Sequence, residues 1–253
     1  MLDRVKLPIY DQIGTNYSKT RHTDPRIQNT IMKALGNCET ILNVGAGSGS
    51  YEPRDRQVVS LDPSLVMLKQ RTELSYTVRG IAELLPFPDK SFDAAMGVST
   101  IHHWSDKSHG IKELKRVVKD RVVIFTWDRK LISNSWLLCD YLPASKDFAL
   151  KLSIAIEAYA SMFEAPVDII PVLIPWDCLD GFPEAYWRRP NEVLDPVVWK
   201  SVSILTLIPE YERTKGLNRL ALELRNGQWQ QKYGHLLKLE EYDMGIRLVV
   251  WRK

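Results

Sequence analysis

Apolar positions in the first half of the chain fall into two alternating rhythms. Residues 26–37, RIQNTIMKALGN, set Ile27, Ile31 and Leu35 four apart and stop at Gly-Asn, predicting an amphipathic helix with a C-terminal signal. Short β-rich runs follow at TILNV (40–44), VVSLD (58–62), TVRG (77–80), FDAAMGV (92–98) and RVVIFTWD (121–128), with helix-like stretches PSLVMLKQR (63–71) and GIKELKRVV (110–118) between them. Strands that are apolar throughout and alternate with helices predict an α/β fold, with a parallel sheet covered on both faces. Beyond residue 130 the rhythm breaks. Helices are expected near 147–163 and 200–208, joined by a stretch whose Pro and Gly density forbids a long regular element. A helix over roughly 217–231 and two strands, LLKLEEY (236–242) and GIRLVVWRK, close the chain.

These boundaries divide a single domain of 253 residues into an N-terminal helical segment (1–37), a core (38–130), an inserted cap (131–215) and a closing helix with strands (216–253). The 45% hydrophobic content at this length can support a substantial core and excludes a disordered tail or a fibre. Three widely spaced cysteines, Cys38, Cys139 and Cys178, form no C-x-x-C pair, and no His, Cys, Asp and Glu set has metal-site spacing, so no metal is expected. With no signal-like start and no run of 18 apolar residues, the expectation is a cytoplasmic protein without a membrane partner. A formal charge of only +3 argues against a nucleic-acid partner and for a small-molecule one. The chain is expected as a monomer or homodimer.

The candidate chemistry starts at NVGAGSGS (43–50). Gly45, Gly47 and Gly49 follow a predicted strand, where a turn without Cβ atoms brings backbone close to a ligand. Asp62 ends the next strand 17 residues after Gly45, a spacing at which a carboxylate accepts ribose hydroxyl hydrogens. No G-K-[S/T] follows, which disfavours ATP hydrolysis. Glycines and acid alone leave nicotinamide, flavin and S-adenosylmethionine open.

The combined series ILNVGAGSGSYE (41–52), VVSLDPSLVML (58–68), GIAELLPFPDKSFDAAMGVSTIHHWSD (80–106) and LKRVVKDRVVIFTWD (114–128) resembles the class I S-adenosylmethionine-dependent methyltransferases, in the branch with quinone-biosynthesis and other small-molecule enzymes. That resemblance implies a Rossmann-like, predominantly parallel seven-stranded sheet with an antiparallel last strand, helices on both faces and an inserted cap. It implies S-adenosylmethionine as cofactor. Asn43, Gly45, Ala46, Gly47 and Gly49 would form the loop beneath the methionine and ribose; Asp62 would hold the ribose; Pro63, Met67, Ala82 and Glu83 would lie about the adenine. Val98 and Ser99 would sit near the substrate mouth. Tyr10, Tyr17 and Arg21 are candidates for the methionine carboxylate, Arg21 preferred for its rigid paired donors.

Methyl transfer needs alignment and, for a protonated nucleophile, a base. His103 and His102, just after the fourth predicted strand, are the candidate bases, on the carboxyl side of the sheet where open α/β folds place their crevice. In PWDCLDGFPEAYWRRP (175–190), Trp176, Asp177, Tyr186, Trp187 and Arg188, with His103, are the candidate acceptor-binding residues, because flat apolar area beside a few charges suits a pocket wall. The reaction implied is methyl transfer to a small organic acceptor. The alternatives are a tRNA, other RNA or protein acceptor and, from another class, a non-catalytic cofactor-binding scaffold.

Overall fold

A computed structural model describes residue 11 and residues 20–71 and 76–253. Five parallel strands are laid down first: β1 (Thr40–Val44), β2 (Gln57–Asp62), β3 (Tyr76–Arg79), β4 (Phe92–Val98) and β5 (Val118–Trp127). With β6 (Asp168–Pro171) and β9 (Ile246–Arg252) they make one sheet in the order β3-β2-β1-β4-β5-β9-β6, in which β9 runs antiparallel to both neighbours. This is a Rossmann-like α/β fold. The order reverses between β1 and β4, so the carboxyl ends of those strands diverge into a crevice, the place where such sheets bind ligands.

Helix α1 (Pro25–Leu35) is capped at its start by Asp24, whose side chain accepts from Arg26 N, and ends at Gly36 with φ +60°. Its Ile27, Ile31 and Leu35 are buried on one sheet face with Ile41, Met96, Val123 and Phe125. On the other face α2 (Lys107–Val117) sends Ile111, Leu114 and Val117 against Leu42, Val44, Val122 and Ile124. Each such aliphatic side chain withdrawn from water contributes about 1.5–3 kcal/mol, which is why the central strands need no polar alternation.

The second half departs from the expected elements in three places. The segment expected as one helix over 147–163 is two, α3 (Pro143–Leu152) and α4 (Ala158–Phe163), because Ser153 turns to extended backbone. The closing helix is likewise split at Asn226-Gly227 into α5 (Glu210–Arg225) and α6 (Gln228–Tyr233), Gly227 having φ +80°. The seventh strand of the sheet is β6, from within the cap boundaries, and not LLKLEEY. In that stretch only β8 (Glu241–Tyr242) is extended, paired with β7 (Ile174–Pro175) in a separate ribbon. LLKLEEY places apolar residues at 236, 237 and 239, without the period of two that a half-buried edge requires, whereas Ile169 and Ile170 dock on Val249 and Leu248. Pro171 ends β6 at the sheet edge, where the missing N–H costs no ladder bond. Among the described residues, no helix is long and apolar enough to cross a membrane.

Candidate active site

The chain leaves β1 through a turn that only glycine can make. Gly45 has φ +71°, and its N–H donates to the Leu61 carbonyl at 2.8 Å; a Cβ there would lie 1.8 Å from Thr100 Oγ1. Two residues on, Gly47 N–H donates to Asp62 Oδ2 at 2.8 Å, while Ser64 N–H donates to Oδ1 at 2.8 Å. Two backbone donors thus fix the carboxylate and leave each oxygen a further lone pair. Burial raises the Asp62 pKa against those two hydrogen bonds, an unsettled state that a further donor from a ligand would relieve.

A cavity of about 210 Å³ opens over this loop. Asn43, Gly45, Ala46, Gly47, Asp62, Pro63, Met67, Ala82, Glu83, Val98 and Ser99 all line it, together with Arg21 and His103. Gly49 faces a neighbouring polar cleft beside Arg71. Asn43 donates to Glu52 Oε1 at 2.8 Å, but its Oδ1 is buried with no partner among the described residues. Glu83 accepts from Ser105 Oγ at 2.8 Å and Asp106 N at 3.0 Å, so its carboxylate already orders the loop after β4. Tyr10 and Tyr17 lie outside the described residues.

Arg21 reaches the cavity wall with its guanidinium committed elsewhere: Nε donates to Asp180 Oδ1 at 2.5 Å and Nη2 to Oδ2 at 3.2 Å. Tyr51 OH donates to the same Oδ2 at 2.9 Å. The pair ties the segment before α1 to the cap and is nearly dry, with Asp180 fully buried.

A second cavity meets the first at Arg21 and Ser99 and runs under the cap, where Phe125, Trp127, Phe182, Glu184 and His102 line it. Ser99, at the end of β4, holds φ +49°, a left-handed conformation uncommon for serine, and donates its N–H to the Phe125 carbonyl at 3.0 Å. His102 and His103 occupy one short turn, their ring centroids 3.9 Å apart, and His102 packs edge-on to Trp127 at 4.7 Å. His103 lines the first cavity and His102 the second. Packing about the ring, on a residue that keeps an exposed side, and then the neighbouring charge of Lys107 lower the His103 pKa to about 4; burial, His103 and Lys107 hold His102 well below the ordinary imidazole value. Both are neutral at pH 7 and weak as bases.

A depressed folded-state pKa means that on acidification the unfolded chain takes up protons before the folded one, so these histidines withdraw stability as pH falls from about 6.5 toward 4. The double variant His102→Gln/His103→Gln is expected to lose less Tm between pH 7 and pH 5 than the wild type. Equal losses in differential scanning calorimetry would mean that neither ring is held neutral by the fold.

The aromatic cap residues fall elsewhere than on the cavity walls. Trp187 is 2% exposed and donates from Nε1 to the Ile174 carbonyl at 3.0 Å; Tyr186 is buried beneath the Arg189 guanidinium. Trp176 lies near the surface under Arg188, whose Nη1 donates to the Leu239 carbonyl at 2.7 Å, and Asp177 pairs with Arg26 at 2.6 Å. None of the five lines either cavity. The second cavity is instead walled by Phe182, Glu184 and residues 201–204. Nothing in the local sequence marks Glu184; only its placement under the cap does. Cys178 is buried, and its thiol pKa is pushed up to about 12 by burial, which leaves it inert. The described residues include no cluster able to hold a metal ion.

A sheet reversing between β1 and β4 with β9 antiparallel beside β5, a glycine turn against Thr100 and an acid ending β2 make a nucleotide-type cofactor site. The family model described as a methyltransferase domain matches residues 42–126. A solved structure from Anabaena variabilis, described as a methyltransferase from an antibiotic biosynthesis pathway, is 33% identical and superposes with a TM-score of 0.86 over 91% of this chain and 98% of its own. The chain belongs to the class I S-adenosylmethionine-dependent methyltransferases and is an enzyme of that family.

Among curated relatives, the tRNA (carboxymethyluridine(34)-5-O)-methyltransferase of Schizosaccharomyces pombe is 25% identical over 47% of this chain and 55% of its own length. The corresponding Arabidopsis thaliana protein is 28% identical over 55% of this chain and 36% of its own. The chain thus spans only about half of the former and a third of the latter. These relatives correct the expectation that a nucleic-acid partner is to be set aside. A net charge of +3 sums all faces of the molecule and carries no information on what one cavity mouth meets.

Proposed function

We propose that this methyltransferase acts on a nucleoside of a tRNA, drawn out of its stack into the second cavity. The observation that carries the reading is that cavity itself: it meets the cofactor cavity at Ser99 and offers the aromatic faces of Phe125, Trp127 and Phe182 to a planar group. Aromatic walls are how proteins hold unstacked bases, and single-stranded loops are where such bases are available. The tRNA methyltransferases among the relatives support the same acceptor.

When bound, S-adenosylmethionine supplies an electrophilic methyl group on a sulfonium. The chain's own part is to bind and align. Asp62 takes the ribose hydroxyls with the lone pairs that Gly47 and Ser64 leave it; the turn at Gly45, Ala46 and Gly47 backs the donor; Pro63, Met67 and Ala82 pack the adenine. Asn43 Oδ1 supplies an acceptor for a ligand N–H. Residues 131–215, β6 apart, act as the cap on the acceptor side, and His102 and His103 shape the junction as neutral rings. Asp62→Asn is expected to weaken S-adenosylhomocysteine binding about 10- to 100-fold in calorimetry with Tm little changed. Unaltered affinity would remove Asp62 from the ribose role.

The acceptor is tested by incubating the enzyme with methyl-labelled cofactor and bulk tRNA from its source, digesting to nucleosides and locating the label. A labelled nucleoside is expected. A second reading, a small organic acceptor, is favoured by one observation: the Anabaena variabilis likeness extends through the cap, covering 91% of the chain, whereas the tRNA enzymes match about half of it. Label found only in the small-molecule fraction of an extract decides for that reading.

A further inference from the structure

One carboxylate under the cap makes no ion pair among the described residues. Glu184 stands on the short turn Pro183–Tyr186 and lines the second cavity together with Phe182, Ser99 and His102. The nearby cation, Arg21, is taken by Asp180, so among the described residues Glu184 receives only its own backbone N–H. A half-buried carboxylate left unpaired beside a second acid is costly, and the fold offers no structural return for it. Groups kept in such a state are characteristic of reaction sites.

We propose that Glu184 is the proton acceptor of the methyl transfer, and that the acceptor atom is accordingly an oxygen or nitrogen that still carries its hydrogen. The inference rests on the second cavity being the acceptor site, as in the function proposed above. As the new bond from the methyl carbon to the acceptor forms, the carbon–sulfur bond breaks with its electron pair going to sulfur. The acceptor's proton passes to the Glu184 carboxylate and later to solvent, leaving a methylated neutral product and S-adenosylhomocysteine.

The other titratable groups facing this cavity do not compete for the role. His102 is held neutral and weakly basic, His103 lines the cofactor cavity, Arg21 and Asp180 are locked on each other, and Asp128 caps the turn after β5, accepting from Lys130 N at 3.0 Å. Burial, followed by weaker effects from its own backbone N–H, Arg21 and Asp180, pushes the Glu184 pKa up to about 7, where a carboxylate takes a proton most effectively at neutral pH.

The test compares the wild type with Glu184→Gln in two labelling reactions, one with bulk tRNA and one with the small-molecule fraction of the same extract. In whichever reaction the wild type transfers label, the variant is expected to be about 100-fold slower, with S-adenosylhomocysteine affinity unchanged and with loss of the fall in rate below pH 7. Label in the small-molecule fraction alone removes the tRNA acceptor and leaves Glu184 to be judged there. Equal rates in the labelled reaction overturn the role of Glu184 whichever acceptor is right. Independently of turnover, infrared difference spectra of the wild type should show a protonated carboxyl band that titrates near pH 7 and disappears in Glu184→Gln; a wild type without that band also overturns the proposal.

Discussion

Gly45→Ala is expected to reduce S-adenosylhomocysteine affinity by at least about 100-fold and to lower Tm by about 10 °C. Two costs add. The added Cβ would lie 1.8 Å from Thr100 Oγ1 and 2.6 Å from Thr100 Cβ, so either the turn or the loop after β4 has to move. In addition, φ +71° places an L-residue in the left-handed region at about 1–2 kcal/mol. With about 1–3 kcal/mol for overpacking, the sum is about 2–5 kcal/mol, and a chain of this size loses roughly 2–4 °C per kcal/mol. Because the Leu61 carbonyl receives both Gly45 N and Ala46 N, the shift travels to the end of β2 and so to Asp62. Trimming the obstacle to Thr100→Ala in the same chain should not rescue, since the Thr100 Cβ is itself too close. A Gly45→Ala protein with wild-type affinity and Tm would show that the cofactor does not approach this turn.

Arg21→Met is expected to lower Tm by a similar amount through a different cause. Asp180 is fully buried and receives two bonds from Arg21. Removing the guanidinium leaves that carboxylate in the protein interior with Tyr51 OH as its remaining side-chain donor among the described residues, and breaking a buried pair from one side costs about 3–5 kcal/mol. The companion double variant Arg21→Met/Asp180→Leu should recover much of the loss, since it removes the stranded charge as well. If Arg21→Met instead left Tm unchanged and abolished only cofactor binding, the guanidinium would serve the ligand and not the cap.

How far the site could be read from sequence depended on how local each signal is. Gly45, Gly47 and Asp62 were legible because a turn and the strand after it are short-range features: the residue types report their own backbone needs. The strands Phe92–Val98 and Gln57–Asp62 were legible for a similar reason, as short, mostly apolar runs without the alternation of a half-exposed strand. The cap was not. Trp176 and Trp187 are near neighbours in sequence and of one residue type, yet the first lies near the surface under Arg188 and the second is interior, because side-chain direction in a Pro-rich segment follows no period. Arg21 was legible as a residue at the cavity but not in its partner, since Asp180 stands 159 positions away.

The sequence by itself determined the α/β layering, the first five strands, the glycine turn and the acid that follows it, all consequences of burial and backbone conformation within a few residues. Only the tertiary structure decided that β6 and not residues 236–242 completes the sheet, that Arg21 is locked on Asp180, that the imidazole pKa values of both histidines are lowered, and that Glu184 lines the second cavity without an ion pair among the described residues. Each of these turns on which distant groups share a dry space, and the free energy of a charge or an edge strand is set by that company and not by its neighbours in the chain.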